Sequence, residues 1–288
     1  MSKSEYHIKI IKRNEYPPLL QEIHDPPEQL YVWGKIPEMP MLAVVGTRKV
    51  SPYGKQITPR LVQDLASAGP CVVSGLAYGI DALAHEAALD AEAKTVAVLG
   101  SGLDRTSLYP REHWRLAEKI VAAGGAVVSE YPEGTQPLAH HFPARNRIVA
   151  GMSLGVLVIE APEKSGALIT ADLALRENRD VFCVPGSIAS QNSVGPNRLI
   201  QLGAKLVMGA EDVLEELGIE TEFRGQGLRD GLTEEQQKIV AALKDAPQHV
   251  DAIVEITKLD ITACNVQLVE LELRGIVKNI GNGNYAAS

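Results

Sequence analysis

Cysteine, aromatic side chains and long apolar runs are all scarce in this chain of 288 residues. Its three cysteines, Cys71, Cys183 and Cys264, stand far apart in apolar or helical surroundings. That spacing suits neither a metal site nor a disulfide framework, and it reads as small buried hydrophobes in a protein of the reducing cytoplasm. No apolar run approaches the roughly 20 residues that cross a bilayer, so no membrane span is expected. The first 16 residues mix charge and polarity without an apolar core, so no secretory signal is expected there. Internal repeats and low-complexity tracts are also missing. What is present is ordinary globular composition, 45% hydrophobic and 22% charged. At roughly 150 residues per domain, the length suggests about two folded units.

An excess of positive charge is absent too. The net charge of −8 argues against a general nucleic-acid coat, but it is unevenly spread. Residues 41–210 hold 16 Lys and Arg against 15 Asp and Glu, whereas residues 211–288 hold 7 against 15. An anionic ligand must therefore be met by a local cluster in the central block, and the acidic tail is a poor place to grip phosphates.

Residues 1–40, Pro-rich toward their end, read as an arm packed on the next domain. Residues 41–217 alternate apolar runs (41–45, 71–73, 95–99, 126–128, 156–159, 181–184 and, more weakly, 205–208) with helical patterns (56–68, 82–93, 111–123, 170–176). The runs are β-branched and continuous, as strands buried on both faces of a parallel sheet are. The pattern predicts a doubly wound α/β domain with a mostly parallel sheet. Residues 218–231 read as a linker. Residues 232–288 read as a small winged-helix domain: a helix from Thr233 with a capping box at Gln236, two further helices, then two strands around a turn rich in Asn and Gly.

Ligands of such sheets sit beyond the carboxyl ends of the strands, so the chemistry is sought in the loops there. After the first run, Gly46 and Thr47 offer close-approaching backbone amides, and Arg48 adds a guanidinium fork matched to phosphate. The G-x-G-x-x-G fingerprint and a ribose-binding acid are both lacking, which excludes an NAD site. After the second run come Ser74 and Gly75. Asp81 and His85 then follow four apart on one helix, either as an acid–base pair or as a cap plus an interior hydrogen bond. The segment at 136–147, QPLAHHFPARNR, reads as a loop feeding a helix, and it gathers His141, Phe142, Arg145, Asn146 and Arg147. Phe142 is either a core anchor or a face for an unstacked base, and the two arginines are phosphate ligands or internal ion pairs. No partner stands at zinc spacing from His140 and His141. Lys164, Ser165, Gly166 and Thr170 form a further anion-receptive helix start, but not a P-loop, so no ATP hydrolysis is expected. No cofactor or metal is expected.

These segments together resemble the DNA-processing protein A (DprA/Smf) family. The resemblance is carried by GTRKVSPYG at 46–54, SGLAYGIDALAH at 74–85, FPARNRIVAG at 142–151, SGALITA at 165–171, VPG at 184–186 and GPNRLIQLGA at 195–204, and it covers nearly the whole chain. It implies a non-enzymatic protein that binds single-stranded DNA and hands it to RecA recombinase in natural transformation, working as a homodimer built through the Rossmann-like domain. It implies Arg48 as a phosphate contact, Phe142 as a base-stacking residue, Arg145 and Arg147 as basic groups of the same pocket, and Lys164, Ser165 and Gly166 as its far wall. Two departures remove charge: Tyr78 and Ala139 stand where relatives often carry a cation. Functions tied to the N-terminal helical domain of some relatives are not expected. The alternative is a nucleotide hydrolase of the lysine-decarboxylase-like type, whose Pro-Gly-Gly-x-Gly-Thr loop and catalytic Glu are missing at 164–170.

Overall fold

Residues before Met41 already contribute strands. In the computed structural model, β1 (Ile8–Lys12) and β2 (Gln29–Gly34) pair antiparallel, with the short helix α1 (Pro18–Gln21) between them. The described residues are 6–219, 232–243, 246–273, 276–281 and 283–287. The chain divides into two units, Met1–Glu220 and Thr221–Ser288. Most of the segment read as a linker lies outside the described residues.

From Met41 the strands are parallel and their residues mostly buried: β3 (Met41–Val45), β4 (Cys71–Ser74), β5 (Thr95–Leu99), β6 (Ala126–Ser129), β7 (Gly155–Val158), β8 (Asp180–Cys183) and the two-residue β9 (Lys205–Leu206). Between and after them run α2 (Pro52–Ser67), α3 (Ile80–Asp90), α4 (Trp114–Ala122), α5 (His141–Gly151), α6 (Gly166–Arg176), α7 (Val194–Gln201) and α8 (Ala210–Glu216). Side chains alternate across a strand, so a run apolar at every position needs cover on both faces. Ala43, Val45, Val73 and Val156 pack with residues of α1, α5 and α6. Their neighbours Leu42, Val44, Val72 and Leu157 pack with α2, α3 and α8. Ala97, Leu99 and Val127 pack with Leu116, Ala117 and Ile120 of α4.

The nine strands lie in the order β1-β2-β6-β5-β4-β3-β7-β8-β9. The chain winds outward from β3 to β6, returns through α5, and continues from β7 on the other side of β3. The switch point of the sheet therefore falls between β3 and β7, where loops leaving adjacent strands diverge and a crevice opens.

The second unit holds α9 (Glu234–Ala242), β10 (Gln248–His249), α10 (Val250–Thr257), α11 (Ile261–Leu273), β11 (Val277–Gly281) and β12 (Asn284–Ala287). The strands form a sheet ordered β10-β12-β11. This is a winged helix, with β10 as a strand that the sequence pattern does not mark. Thr233 Oγ1 accepts from Gln236 N and Gln236 Oε1 from Thr233 N, both at 3.2 Å, which is the expected capping box.

Candidate functional site

A cavity of about 260 Å³ opens at the switch point. Four segments wall it, one after each of β3, β4 and β7 and the fourth on α5.

The first wall is Gly46, Thr47 and Arg48. A Cβ on Gly46 would lie 2.5 Å from Ile80 Cγ1, so only glycine lets the chain turn that close to α3. Glu160, buried just past β7, holds the loop from below. Its carboxylate accepts from Ser51 N at 3.0 Å, from the Ser51 hydroxyl and from Asn192 Nδ2 at 3.3 Å, while its backbone oxygen takes Thr47 N at 2.7 Å. Ser51 also caps α2, accepting from Gly54 N at 3.1 Å. Arg48 projects from this pinned loop into solvent.

Gly75, Ala77 and Asp81 form the second wall. Asp81 does not cap α3, whose N-cap is Gly79 at a φ of 85°. Its carboxylate instead accepts from Gly75 N at 3.2 Å and Ala77 N at 3.4 Å. Nor does Asp81 form an acid–base pair with His85, whose Nδ1 lies 2.7 Å from Thr95 Oγ1. Thr95 gives its own proton to Val72 O at 2.7 Å, so His85 Nδ1 carries the hydrogen and donates. Burial pushes His85 down to about 3, and the ring is neutral.

The third wall is α5. Phe142, Arg145, Asn146 and Val149 line the cavity at spacings of three and four, one face of the helix. Arg145 is only 4% exposed and donates through Nη1 to Val98 O. Its Nε is buried without a partner among the described residues. Burial pulls its guanidinium down to about 10, with Asp81 opposing the shift and Arg48 adding to it, so it is charged at neutral pH. Burial likewise raises Asp81, against the pull of Arg145. Arg48 Cζ sits 5.3 Å from the centroid of the Phe142 ring, a cation–π contact.

The fourth wall is the start of α6. Ser165 caps the helix, accepting from Ala167 N at 3.3 Å, and Gly166 faces open space. Thr170 Oγ1 donates to Gly166 O at 3.3 Å, and Asn146 Nδ2 donates to the same oxygen at 3.2 Å, which ties α5 to α6. Lys164 stands exposed beside this helix N-terminus, whose dipole favours an anion.

Three residues expected at the site lie elsewhere. Ser74 is buried in β4 and donates to Val44 O at 2.6 Å. His141 is buried, stacked on Tyr131 at 4.0 Å between ring centroids, with Nδ1 3.2 Å from Gly100 O. Arg147 is neutralised by Glu130 at 2.7 Å and Asp25 at 3.0 Å. The internal ion pair is thus realised for Arg147 and not for Arg145. The segment read as a loop is helical from His141, and helical periodicity turns positions 141 and 147 away from the cavity. Glu160 and Asp81 are the groups that sequence reasoning missed as supports. A lone acid closing the apolar run 156–159 was the signal for Glu160.

Three cations, Arg48, Arg145 and Lys164, thus meet one carboxylate, Asp81, and a helix N-terminus around a cavity with one aromatic wall. The fold and site define an extended Rossmann-like α/β protein with an anion-receptive cavity at its switch point, joined to a winged-helix unit. Residues 7–218 match the family described as DNA recombination-mediator protein A, and residues 227–283 match the DprA winged helix domain. The chain belongs to the DNA recombination-mediator protein A family. It is 38% identical over 293 residues to Protein Smf of Escherichia coli K12, covering 98% of this chain and 78% of the relative. It is 48% identical over 203 residues to the DNA processing protein DprA of Streptococcus pneumoniae, covering 70% of this chain and 71% of the relative. The X-ray structure of the S. pneumoniae protein superposes with a TM-score of 0.68 at 43% identity, over 76% of each chain. The solved structure of DNA processing protein A from Helicobacter pylori, described for its single-stranded DNA binding mode, gives 0.67 at 31% identity, over 77% of this chain and all of the other. Among the described residues no helix is long and apolar enough to cross a membrane.

Proposed function

We propose that the cavity binds single-stranded DNA, with Arg48, Lys164 and the α6 N-terminus on the phosphates and Phe142 under a base. The observation that carries this reading is the convergence of Arg48, Arg145 and Lys164 on the single cavity that Phe142 walls. A basic groove with an aromatic face takes unpaired strands with little sequence preference, because every base has a π-face. Duplex bases stay stacked on each other and cannot reach the ring. The H. pylori relative's single-strand binding mode supports the same ligand class for this chain. Arg145, buried behind Gly75, sets the positive potential of the floor rather than reaching for the ligand.

The protein acts by binding rather than catalysis. Asp81, the one acid lining the cavity among the described residues, is held by two amides and faces the Arg145 guanidinium, so it is occupied in supporting the loop. The bound strand is handed to RecA recombinase in the cytoplasm, a finer role than the recombination mediator that the family description names. The working form is a homodimer. Leu202, Leu206 and Met208, exposed in sequence at the β9 edge of the sheet, support a self-association surface there.

Titration of fluorescent oligothymidylate and of duplex at several salt concentrations tests the reading. Arg48→Ala is expected to weaken single-strand binding and to lower the salt slope by about 0.7, the value for one phosphate contact on a single strand. Phe142→Ala is expected to cost ~1–3 kcal/mol with the slope kept. Equal affinity of both variants and the parent, or equal affinity for duplex and single strand, would overturn it.

A further inference from the structure

Aromatic residues make up only 5% of the chain, yet the row of rings that begins at Phe142 continues beyond the cavity. Phe142 and Tyr109 have ring centroids 5.8 Å apart, Tyr109 and Tyr78 6.4 Å, and Tyr78 and His113 5.1 Å. Successive contacts thus link Arg48, Phe142, Tyr109 and Tyr78 across the loops that follow β3, β4 and β5 and the start of α5. Tyr109 and Tyr78 are 37% and 38% exposed, and neither belongs to a core cluster. Tyr78 itself is anchored. Tyr78 Oη donates to Glu112 at 2.6 Å, and His113 Nδ1 lies 2.7 Å from Leu76 O. Exposed Arg105 and Arg111 flank Tyr109 in sequence, and Arg111 donates to Thr106 O at 3.3 Å.

Water-exposed rings held in a fixed row next to guanidinium groups offer successive faces to unpaired bases. The acid at the Tyr78 end, Glu112, opposes phosphate there, so that stretch of the row selects bases rather than backbone charge. We propose that Tyr109 and Tyr78 form a stacking track for the bases of a strand leaving the cavity, lengthening the footprint past Phe142. This rests on single-strand binding at the cavity itself.

The test uses the full chain and oligothymidylates of two lengths, one short enough to fill the cavity alone and one several nucleotides longer, each titrated at several salt concentrations. Tyr109→Ala and Tyr78→Ala are each expected to weaken the long oligonucleotide by about fivefold or more. Affinity for the short one and the salt slope should stay as in the parent, and Tyr109→Trp should retain long-strand binding. On the unsubstituted protein, 5-iodouracil scanned through the long strand should photocrosslink to Tyr109 or Tyr78, a readout that does not depend on how a variant folds. Unchanged long-strand affinity in both alanine variants, or crosslinking that avoids both tyrosines, would overturn the track. If Arg48→Ala leaves both lengths unaffected, the cavity reading fails instead, and the two failures are distinguishable.

Discussion

Arg145 lies under the cavity floor because Gly75 has no side chain: a Cβ there would sit 2.3 Å from Arg145 Nη1. Burying a guanidinium is costly unless its charge is met, and here Val98 O and the Asp81 carboxylate share that work. A charge sunk below the surface is screened by salt far less than Arg48 or Lys164, so part of the cavity's attraction persists at high ionic strength. His85 carries the converse burden. It is neutral in the folded chain, with its proton affinity pushed down to about 3 from an ordinary 6.5. Between those values only the unfolded chain binds the proton, so stability rises with pH across the window and is lost as pH falls from 6.5 toward 3. The slope contributed reaches ~1.4 kcal/mol per pH unit. Chemical denaturation at pH 7, 6 and 5 should give a steeper loss for the parent than for His85→Gln, whatever the variant's absolute stability.

At the scale of elements, the loop between β3 and α2 depends on one cap. Ser51→Ala removes the acceptor for Gly54 N and a donor to buried Glu160 at once. The cap alone is worth ~0.5–2 kcal/mol, and the exposed Arg48 should lose its fixed approach as well. A thermal melt together with single-strand titration would register both effects. The same scale explains what the sequence made legible. The apolar runs located six buried parallel strands because burial on both faces leaves few polar positions, and the weaker run at 205–208 marked β9, which is exposed. The Gly, Ser and Arg punctuation after them located three of the four cavity walls. The fourth wall is less legible, since 136–147 reads as a loop feeding a helix whereas α5 already begins at His141. Pro143 sits in the first turn of α5, where its missing N–H has no intrahelical partner to lose. With the helix start hidden, His141 and Arg147 could not be separated from Phe142 and Arg145. β1 escaped for another reason: it lies at the sheet edge and is mostly exposed, so it lacks an apolar signature.

For the whole first unit, the sheet ends differ in a way that bears on assembly. One edge is the five-residue β1, whereas the other is β9, two residues long, with Leu202 and Met208, 70% and 86% exposed, beside it. Exposed apolar side chains grouped at a sheet edge suit a second copy of the chain. In the proposed homodimer, Leu202→Asp with Met208→Asp is expected to shift dimer to monomer in light scattering after size exclusion, while short-oligonucleotide binding is kept. A dimer of unchanged mass would remove β9 from the interface. The winged-helix unit carries nine acids against five bases over 230–288, a charge balance that favours protein over DNA contact.

The chain leaves one half of the sheet through the turn at 133–136 and enters the other half only after α5, and each half brings half of the cavity. Gly46, Arg48 and Gly75 precede that turn, whereas Phe142, Arg145 and Lys164 follow it. A backbone nick there would give two fragments, neither with a complete receptor, and reassembly would restore recognition in one step. Oligonucleotide would then act as glue between the fragments, since whatever binds only the joined state drives the joining.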